Sequence, residues 1–415
     1  MLATIRANWA LLVGIGLLML GHGLQGTLLG VRAVIEQFPT SVTGIIMSGY
    51  SIGFLASAVF TQRLVRKVGH VRVFAALSAV ASAAILAHSI LAEPFTWFVL
   101  RFVTGFCMSG VYVIAESWLN ASTDNEHRGQ LLSVYMVVQL SAWAGGQLLL
   151  NLGDPGDFPL FIFVSVLVSI AVVPLLLSAI PAPVLPAARK FSLGDLYRTS
   201  PLGCIGMVAV GLSQGGFFNM GAVFAQTIGF SVAEISMMMA VTTIGGMLLQ
   251  WPVGQLSDKL DRRTVLTVVT LVASVALTGT LVFGFDDPYS LTAAFFIYGG
   301  MCLPMYSLCV AHTNDYLESD QMIGASSTLV FANGLGMVVG PLVLGPVMQW
   351  STPFAFIAML AIVHGVLGIF AIYRSRVRPS VPLDEQGQHV YIPAAAPTSV
   401  VTSIAQEEAV ENAES

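Results

Sequence analysis

Residues 254–263 read GQLSDKLDRR, and 192 residues earlier the stretch 62–70 reads QRLVRKVGH. Both stretches are short, polar and rich in basic residues, and each lies between two apolar runs that are long enough to cross a bilayer. The same shift superposes Gly53 on Gly245. We therefore predict two related halves in which the same order of membrane spans occurs twice.

The composition is that of a protein whose main solvent is lipid. Of the 415 residues, 56% are hydrophobic and only 9% are charged, and the mean hydropathy is +0.82. The apolar runs are continuous over about 20 residues, as in membrane helices, whereas barrel strands alternate over about ten. We predict an all-α membrane protein with twelve transmembrane helices in two six-helix halves. The predicted spans lie near 9–31, 41–62, 70–91, 95–118, 129–151, 159–180, 200–225, 233–256, 264–284, 290–314, 324–348 and 353–373.

Lysine and arginine are distributed one-sidedly along this topology. If the N-terminus is cytoplasmic, 15 of the 17 Lys and Arg residues fall in inside segments, and only Arg32 and Arg101 do not. This bias follows the positive-inside rule and predicts a multi-pass protein of a bacterial inner membrane with both termini in the cytoplasm. Since the basic clusters are explained as topology signals, no nucleic-acid partner is predicted.

The domain boundaries follow from the same pattern. Residues 1–180 form the predicted N-terminal half and 200–374 the C-terminal half, and 181–199 form a cytoplasmic linker with a short surface helix starting at Ser192. Residues 375–415 are rich in Pro, Ala, Ser and Thr and end in several glutamates. Because this segment has too little apolar surface to form a core, we predict a disordered acidic cytoplasmic tail.

The sequence lacks the motifs of an enzyme or an ATP-driven pump. It contains no phosphate-binding Gly-Lys loop, no ligands at metal-binding spacing and no nucleophile with a base at useful spacing. The four cysteines fall inside predicted spans and are interpreted as small packing residues. No metal or other cofactor is predicted, and an ion or solute gradient is the expected energy source.

The stretch 254–263, with the Trp251-Pro252 pair before it, resembles the signature loop between helices eight and nine of the major facilitator superfamily (MFS). Pattern and topology match over roughly residues 9–374. The first-half loop departs from the family pattern, since Arg66 stands where an acid is usual. The resemblance implies a monomeric secondary transporter whose halves rock around a midplane site for a small solute. Finer features resemble the uncharacterised bacterial YcaD-type branch, namely 115–117, 128–132, 246–254 and 340–341.

Arg101 is the one basic residue placed within a predicted span and away from its ends. A charge at the bilayer centre costs about 2.5–3.5 kcal/mol on insertion scales, so its position calls for a reason. The stretch from Arg101 to Gly105 resembles the family's helix-four arginine motif, which implies a side chain that faces the central cavity and takes part in coupling. The alternative is an arginine whose long stem reaches the outer interface.

Polar side chains in other spans complete the predicted cavity. His22 lies near the centre of the first span, and the repeat places Gln214 opposite it in the seventh. In the MFS these two helices line the cavity, so the resemblance implies solute contact, and an imidazole there can carry a proton. The alternative for His22 is a buried side chain that is bonded to a neighbouring helix. The candidates for solute binding and coupling are His22, Gln25, Arg101, Gln214 and Asn219, more weakly Gln139, Gln147 and Asn333, and an aromatic wall of Tyr50, Trp143, Phe217 and Phe218.

Charged residues near the cytoplasmic face form a candidate gate. Glu116 lies fifteen residues beyond Arg101 on the same helix, or about 22 Å at about 1.5 Å per residue. Its expected partners are therefore Arg128 and the basic loop of the first half. The alternatives are a proton-carrying role for Glu116 and, for both halves, topology signals with helix capping. The matching second-half network is expected at Asp258, Lys259, Arg262 and Arg263, near His312 and Asp315.

Taken together, these features predict a secondary active transporter that moves a small organic solute by alternating access and is coupled to protons. A facilitator and an exporter of drugs or metabolites are alternatives within the same class. The alternative from another class is a membrane sensor that has kept the transporter fold and signals through its acidic tail.

Overall fold

The computed structural model describes residues 8–121, 125–177, 191–382, 386–387 and 392. All regular structure within these residues is helical. Eleven helical segments of the described chain are long and apolar enough to cross a membrane, and a shorter apolar helix lies between the fifth and the sixth of them. The predicted all-α membrane fold is therefore confirmed.

The first half contains six long helices. They are α1 (Trp9–Ile35), α2 (Thr40–Val68), α3 (His70–Ile90), α4 (Pro94–Ala121), α5 (Asn125–Leu148) and α6 (Pro159–Leu177), with a 3-10 turn at Leu149–Leu152. The short helix α7 (Leu193–Thr199) follows and is the one predicted to start at Ser192. Ser192 and Asp195 form a reciprocal capping box at its first turn. Most of the predicted linker, residues 178–190, lies outside the described residues.

The second half repeats this pattern with one interruption. Its helices are α8 (Pro201–Thr227), α9 (Val232–Lys259), α10 (Arg262–Phe283), α11 (Pro288–Cys302), α12 (Met305–Asn314), α13 (Ser319–Trp350) and α14 (Ala355–Val377). Helices α11 and α12 together form the predicted tenth span, which is broken at Leu303 and Pro304. Pro304 has no backbone N–H, so a continuous helix would lack one hydrogen bond at this point.

The two ends of the bundle are named here by their residues. The outer end carries Thr40 and Trp350, and the inner end carries Gly69 and Leu260. The distribution of lysine and arginine predicts that the inner end faces the cytoplasm.

Glycines at equivalent positions bring helices together in both halves. A Cβ built on Gly53 of α2 would lie 2.0 Å from the Phe102 carbonyl oxygen of α4. A Cβ on Gly245 of α9 would lie 2.2 Å from the Phe296 carbonyl oxygen of α11. Both distances are far inside van der Waals contact, so only glycine allows these crossings. The sequence repeat therefore corresponds to the same helix pair in each half.

We expect Gly53→Val to lower the yield and thermal midpoint of the folded protein, because the added side chain forces α2 and α4 apart. Overpacking of this kind lowers the free energy of unfolding by about 1–3 kcal/mol or more. Gly279→Val is the matched control, since a Cβ at Gly279 meets nothing within 4 Å. The measurement is size-exclusion chromatography in detergent followed by a thermal melt. Equal thermal midpoints for the two variants would contradict this packing argument.

The halves meet mainly along the helix pairs α1 with α8, α2 with α13 and α5 with α9. Two hydrogen bonds join them at the outer end. The backbone N–H of Ser41 donates to the side-chain oxygen of Gln349 at 2.9 Å, and the Asn151 amide donates to Ser236 Oγ at 2.7 Å. The outer end is therefore held together by direct contact between the halves.

Parts of the C-terminal segment contact the inner end. Residues 375–377 belong to α14, and Arg262 donates to the carbonyl of Gly387. Ile392 is buried, and its backbone N–H donates to Ser307 Oγ at 2.9 Å. Most of the remaining predicted tail, including residues 393–415, lies outside the described residues.

Candidate functional site

A pocket lies between the two halves of the chain. The first half contributes α1, α2, α4 and α5, and the second half contributes α8, α9 and α13. Because both halves supply walls, any movement of one half against the other changes its shape. The lining residues are His22, Gly23, Gly26, Thr27, Tyr50, Phe54, Arg101, Trp143, Gln147, Gln214, Phe218, Asn219, Met239 and Met337.

Arg101 projects into this pocket and is only 3% exposed. Its Nη2 donates to Asn219 Oδ1 at 2.8 Å, and its guanidinium carbon lies 4.6 Å from the centroid of the Tyr50 ring. The Nε–H has no hydrogen-bond partner, and Arg101 forms no ion pair with any described residue. The structure thus places Arg101 between the two halves.

Aromatic rings surround His22 on one side of the pocket. Its Nδ1 lies 3.4 Å from the Tyr50 hydroxyl, and its ring centroid lies 6.0 Å from that of Trp143. The Trp143 and Phe218 rings are 4.2 Å apart, and α5 and α8 thereby meet across the interface between the halves. Phe217, the fourth residue of the predicted aromatic wall, packs on Phe295 within the second half and does not line the pocket.

Amide side chains supply most of the remaining polar lining. Gln214 is buried, and its Nε2 has no hydrogen-bond partner among the residues that the structure describes. Asn219 donates to the Gly215 carbonyl at 2.8 Å, which orients its oxygen toward Arg101. Gln147 accepts a hydrogen bond from Thr243 at 3.0 Å. These amides join one cation and one imidazole in a pocket with no carboxylate among its lining residues.

Three predicted candidates lie elsewhere in the structure. Gln25 is buried in α1 but does not line the pocket. Gln139 of α5 donates to the hydroxyl of Tyr135 at 3.2 Å. Asn333 of α13 lies 3.4 Å from the carbonyl oxygen of Met207 in α8, inside the second half. The structure does not bring these three amides to the pocket.

Six lining residues were missing from the sequence-based candidates, and they are Gly23, Gly26, Thr27, Phe54, Met239 and Met337. Thr27 lies one turn beyond Gly23 on the same face of α1, so helical spacing from the predicted His22 region could have found it. Phe54, Met239 and Met337 carry no polar signal that separates a cavity wall from ordinary packing.

Glu116 is fully buried between α4 and α5. The Tyr135 hydroxyl donates to its Oε1 at 2.7 Å, and Gln139 donates to that hydroxyl in turn. The side chain of its expected partner Arg128 lies outside the described residues. A tyrosine hydroxyl is therefore one partner of Glu116.

The second-half network is centred on Arg262 and Asp315. Arg262 is 1% exposed, pairs with Asp315 and donates to the Ala311 carbonyl at 2.9 Å. Burial raises the pKa of the Asp315 carboxyl to about 6, and the Arg262 guanidinium opposes this rise. Asp258 and Lys259 are exposed in the last turn of α9.

Comparison with known proteins assigns the family. The Major Facilitator Superfamily model matches residues 11–198 and 203–407. The chain is 27% identical over 377 residues to the uncharacterized MFS-type transporter YcaD of Escherichia fergusonii. The aligned region covers 89% of this chain and 96% of the relative. It is 26% identical over 363 residues to the protein of the same name from Salmonella typhimurium. That aligned region covers 86% of this chain and 93% of the relative. The predicted resemblance to the YcaD-type branch is confirmed.

Solved structures agree on the fold. The nucleoside transporter NupG superposes with a TM-score of 0.72 at 15% identity and covers 88% of this chain and 98% of its own. A bacterial homologue of the lysosomal transporter Spinster, in an inward-facing and unoccupied conformation, superposes with a TM-score of 0.64 at 13% identity and covers 98% of both chains. At such identities the likeness concerns the fold alone. The family consists of transporters and not enzymes, and this chain is a member of the major facilitator superfamily.

Proposed function

We propose that this chain carries a small organic anion across a bacterial inner membrane by alternating access, together with protons. In this proposal the protein works as a monomer with both termini in the cytoplasm. The observation that supports the anion is Arg101, a buried guanidinium that lines the pocket without an ion-pair partner among the described residues.

The electrostatics of Arg101 favour an anionic ligand. Removing a cation from water costs several kcal/mol even after the surroundings relax. The Asn219 dipole and the Tyr50 ring offset part of this cost. A bound anion would supply the missing counter-charge, and its carboxylate or phosphate oxygens would match the planar fork of the guanidinium. The unbonded Nε–H of Arg101 is available for this pairing.

The other walls of the pocket favour a solute with a ring or a compact apolar body. Trp143 and Phe218 offer flat apolar surfaces beside His22 and Tyr50. Aromatic walls with a few polar groups are typical of small-molecule sites.

The bond between Arg101 and Asn219 suggests how solute binding reaches both halves. Arg101 belongs to α4 and Asn219 to α8, so their hydrogen bond crosses the interface. An anion bound at Arg101 would contact both halves at once. It would favour whichever arrangement it binds more tightly. The outer contact between Ser41 and Gln349 would have to separate when the pocket opens outward.

His22 is our proposed proton site. It is the one imidazole among the described residues that line the pocket, and it shares Tyr50 with Arg101 as a neighbour. A negatively charged solute favours a protonated imidazole close by, because opposite charges attract strongly in a site of low dielectric constant. Solute and proton would then bind together, which is the requirement for symport.

A thermal-shift screen of the purified protein tests the anion proposal. We expect a subset of small organic carboxylates to raise the thermal midpoint, and the matching amides and alcohols to leave it unchanged. A ligand at a hundred times its Kd stabilises the folded state by about 2.7 kcal/mol, which a melt resolves easily. Arg101→Gln should fold and lose the preference for carboxylates. Neutral isosteres that stabilise the parent as strongly as the acids would refute an anionic solute.

A further inference from the structure

A second cavity lies at the inner end of the second half. It is formed where α8 and α10 begin and where α12 and α14 end. We call it the arginine niche. Its walls are Arg263, Arg374, Arg378, His312, Tyr316 and the turn Ser200–Leu202.

The arginine niche carries an excess of positive charge. Arg263 is offset by Asp261, whose carboxylate accepts from its guanidinium at 3.0 Å. Arg374 and Arg378 form no ion pair with any residue that the structure describes. The Arg378 guanidinium carbon lies 4.0 Å from the centroid of the Tyr316 ring, in a cation–π contact. Two guanidinium charges therefore face the niche without a carboxylate.

His312 is a second and independent indication of a ligand. It is only 4% exposed, yet its ring nitrogens have no hydrogen-bond partner among the described residues. Its one described ring contact is an edge-to-face contact with Tyr316, at 5.3 Å between centroids. Buried polar groups are usually hydrogen-bonded, so these ring nitrogens are available to a ligand in the cavity that His312 lines.

The start of α8 adds a favourable field. The helix has 27 residues and begins at Pro201, with Ser200 as its N-cap. The N-terminus of a long helix carries a partial positive charge and favours anions. Together with the two unpaired arginines, it makes the niche attractive to an anion with several acceptor oxygens.

The geometry points to a binding site for a phosphate-ester anion in the arginine niche. Arginine pairs well with phosphate oxygens, and basic pockets between membrane helices at the cytoplasmic surface suit anionic lipid headgroups. The adjoining helix α14 exposes an apolar stripe at Ile362, Val366, Ile369 and Tyr373, whose spacing keeps them on one face. Acyl chains can lie along such a face while the headgroup phosphate occupies the niche.

Binding here would stabilise one position of α12. The phosphate would bridge α8, α10, α12 and α14, and α12 is the inner part of the tenth span beyond the break at Pro304. This inference does not depend on which solute the central pocket takes. Its test therefore needs no transported substrate.

The test compares the purified full chain with three probes in neutral detergent: phosphatidylglycerol, phosphatidylcholine and inorganic phosphate. We expect phosphatidylglycerol to raise the thermal midpoint and to be retained in native mass spectra, and phosphatidylcholine to do neither. Each arginine near a membrane surface contributes about a fivefold factor in affinity for anionic lipid. The double variant Arg374→Gln/Arg378→Gln should therefore bind about 25-fold more weakly. Arg376→Gln is the matched control, because it lies on the same helix end but outside the niche.

The outcomes separate the sources of the phosphate and can overturn the site. A shift with the lipid alone assigns the niche to a headgroup, and an equal shift with inorganic phosphate assigns it to a soluble phosphate ester. Equal responses to all three probes would overturn the inference. So would a double variant that responds like the parent. If the double variant fails to fold, Arg378→Gln alone serves, since that side chain is exposed.

Discussion

Replacing Arg101 with glutamine is expected to lower the transport of the anionic solute by roughly 30-fold to several thousandfold in kcat/KM. Removing one member of a buried, hydrogen-bonded charge pair costs about 2–5 kcal/mol, and every 1.4 kcal/mol is about tenfold. Arg101 would form this pair with the solute, because the pocket contains no carboxylate among its lining residues. Arg101→Lys keeps the charge but loses the planar fork, so its activity should fall between parent and Gln variant.

The measurement is uptake of the labelled solute into proteoliposomes, using an anion that the thermal-shift screen identifies. Arg32→Gln provides the matched control. Arg32 pairs with Glu36 four residues along the chain and does not line the pocket, so its loss should leave uptake within about twofold of the parent. Thermal melts must show that the Arg101 variants are folded. A folded Arg101→Gln variant with parental kinetics would remove the central support for an anionic solute.

The fold could be predicted from the sequence because lipid imposes simple rules on length and charge. Apolar runs of span length, separated by basic loops, identify the helices. The repeat was visible through glycines such as Gly53 and Gly245, and the structure shows a physical reason for them, since both allow helix backbones to touch. The break at Pro304 was not predicted, because the flanking residues read as one continuous apolar run.

The candidate site was only partly predictable, and helix α1 shows why. His22, Gly23, Gly26 and Thr27 line the pocket. At about 100° per residue these four span an arc of about 140°, and Gln25 falls outside it by about 60°. Sequence shows which residues of a span are polar, but the rotation of the helix about its axis is set by packing. Gln25 was predicted because it is polar and lies in a helix that lines the cavity in the family, but it lies on a different face of that helix.

The partners of the inner-end charges depend on contacts that are distant in sequence. Arg262 and Asp258 share one short loop, yet Arg262 pairs with Asp315 from the end of α12. Glu116 meets Tyr135, a hydroxyl that charge patterns do not reveal. The first of these interactions arises from tertiary packing between α10 and α12, and the second is a hydrogen bond that joins α5 to α4. Sequence therefore placed Arg262 and Asp315 in one network but did not identify Tyr135 as a partner of Glu116.

The second large effect is expected from substitution of His22, and it concerns the coupling of solute transport to protons. A carrier that accumulates solute needs a group whose protonation follows the side that the pocket faces. Arg101 cannot serve, because a guanidinium does not lose its proton in the working pH range. His22 lines the same pocket and contacts Tyr50, so an anion at Arg101 would lie close enough to favour its protonated form.

We therefore expect His22→Gln to keep exchange of labelled for unlabelled solute and to abolish accumulation driven by a pH gradient. For one proton per anion, each pH unit is worth about 1.4 kcal/mol, or a tenfold concentration ratio in the parent. The variant should reach a ratio of internal to external solute concentration near one under the same pH gradient. His364→Gln is the matched control, since His364 is buried in α14 outside the pocket and should leave accumulation intact. If His22→Gln still concentrates solute as steeply as the parent, the proton is carried elsewhere. The buried carboxyl of Glu116, which accepts a hydrogen bond from Tyr135, then becomes the next group to substitute.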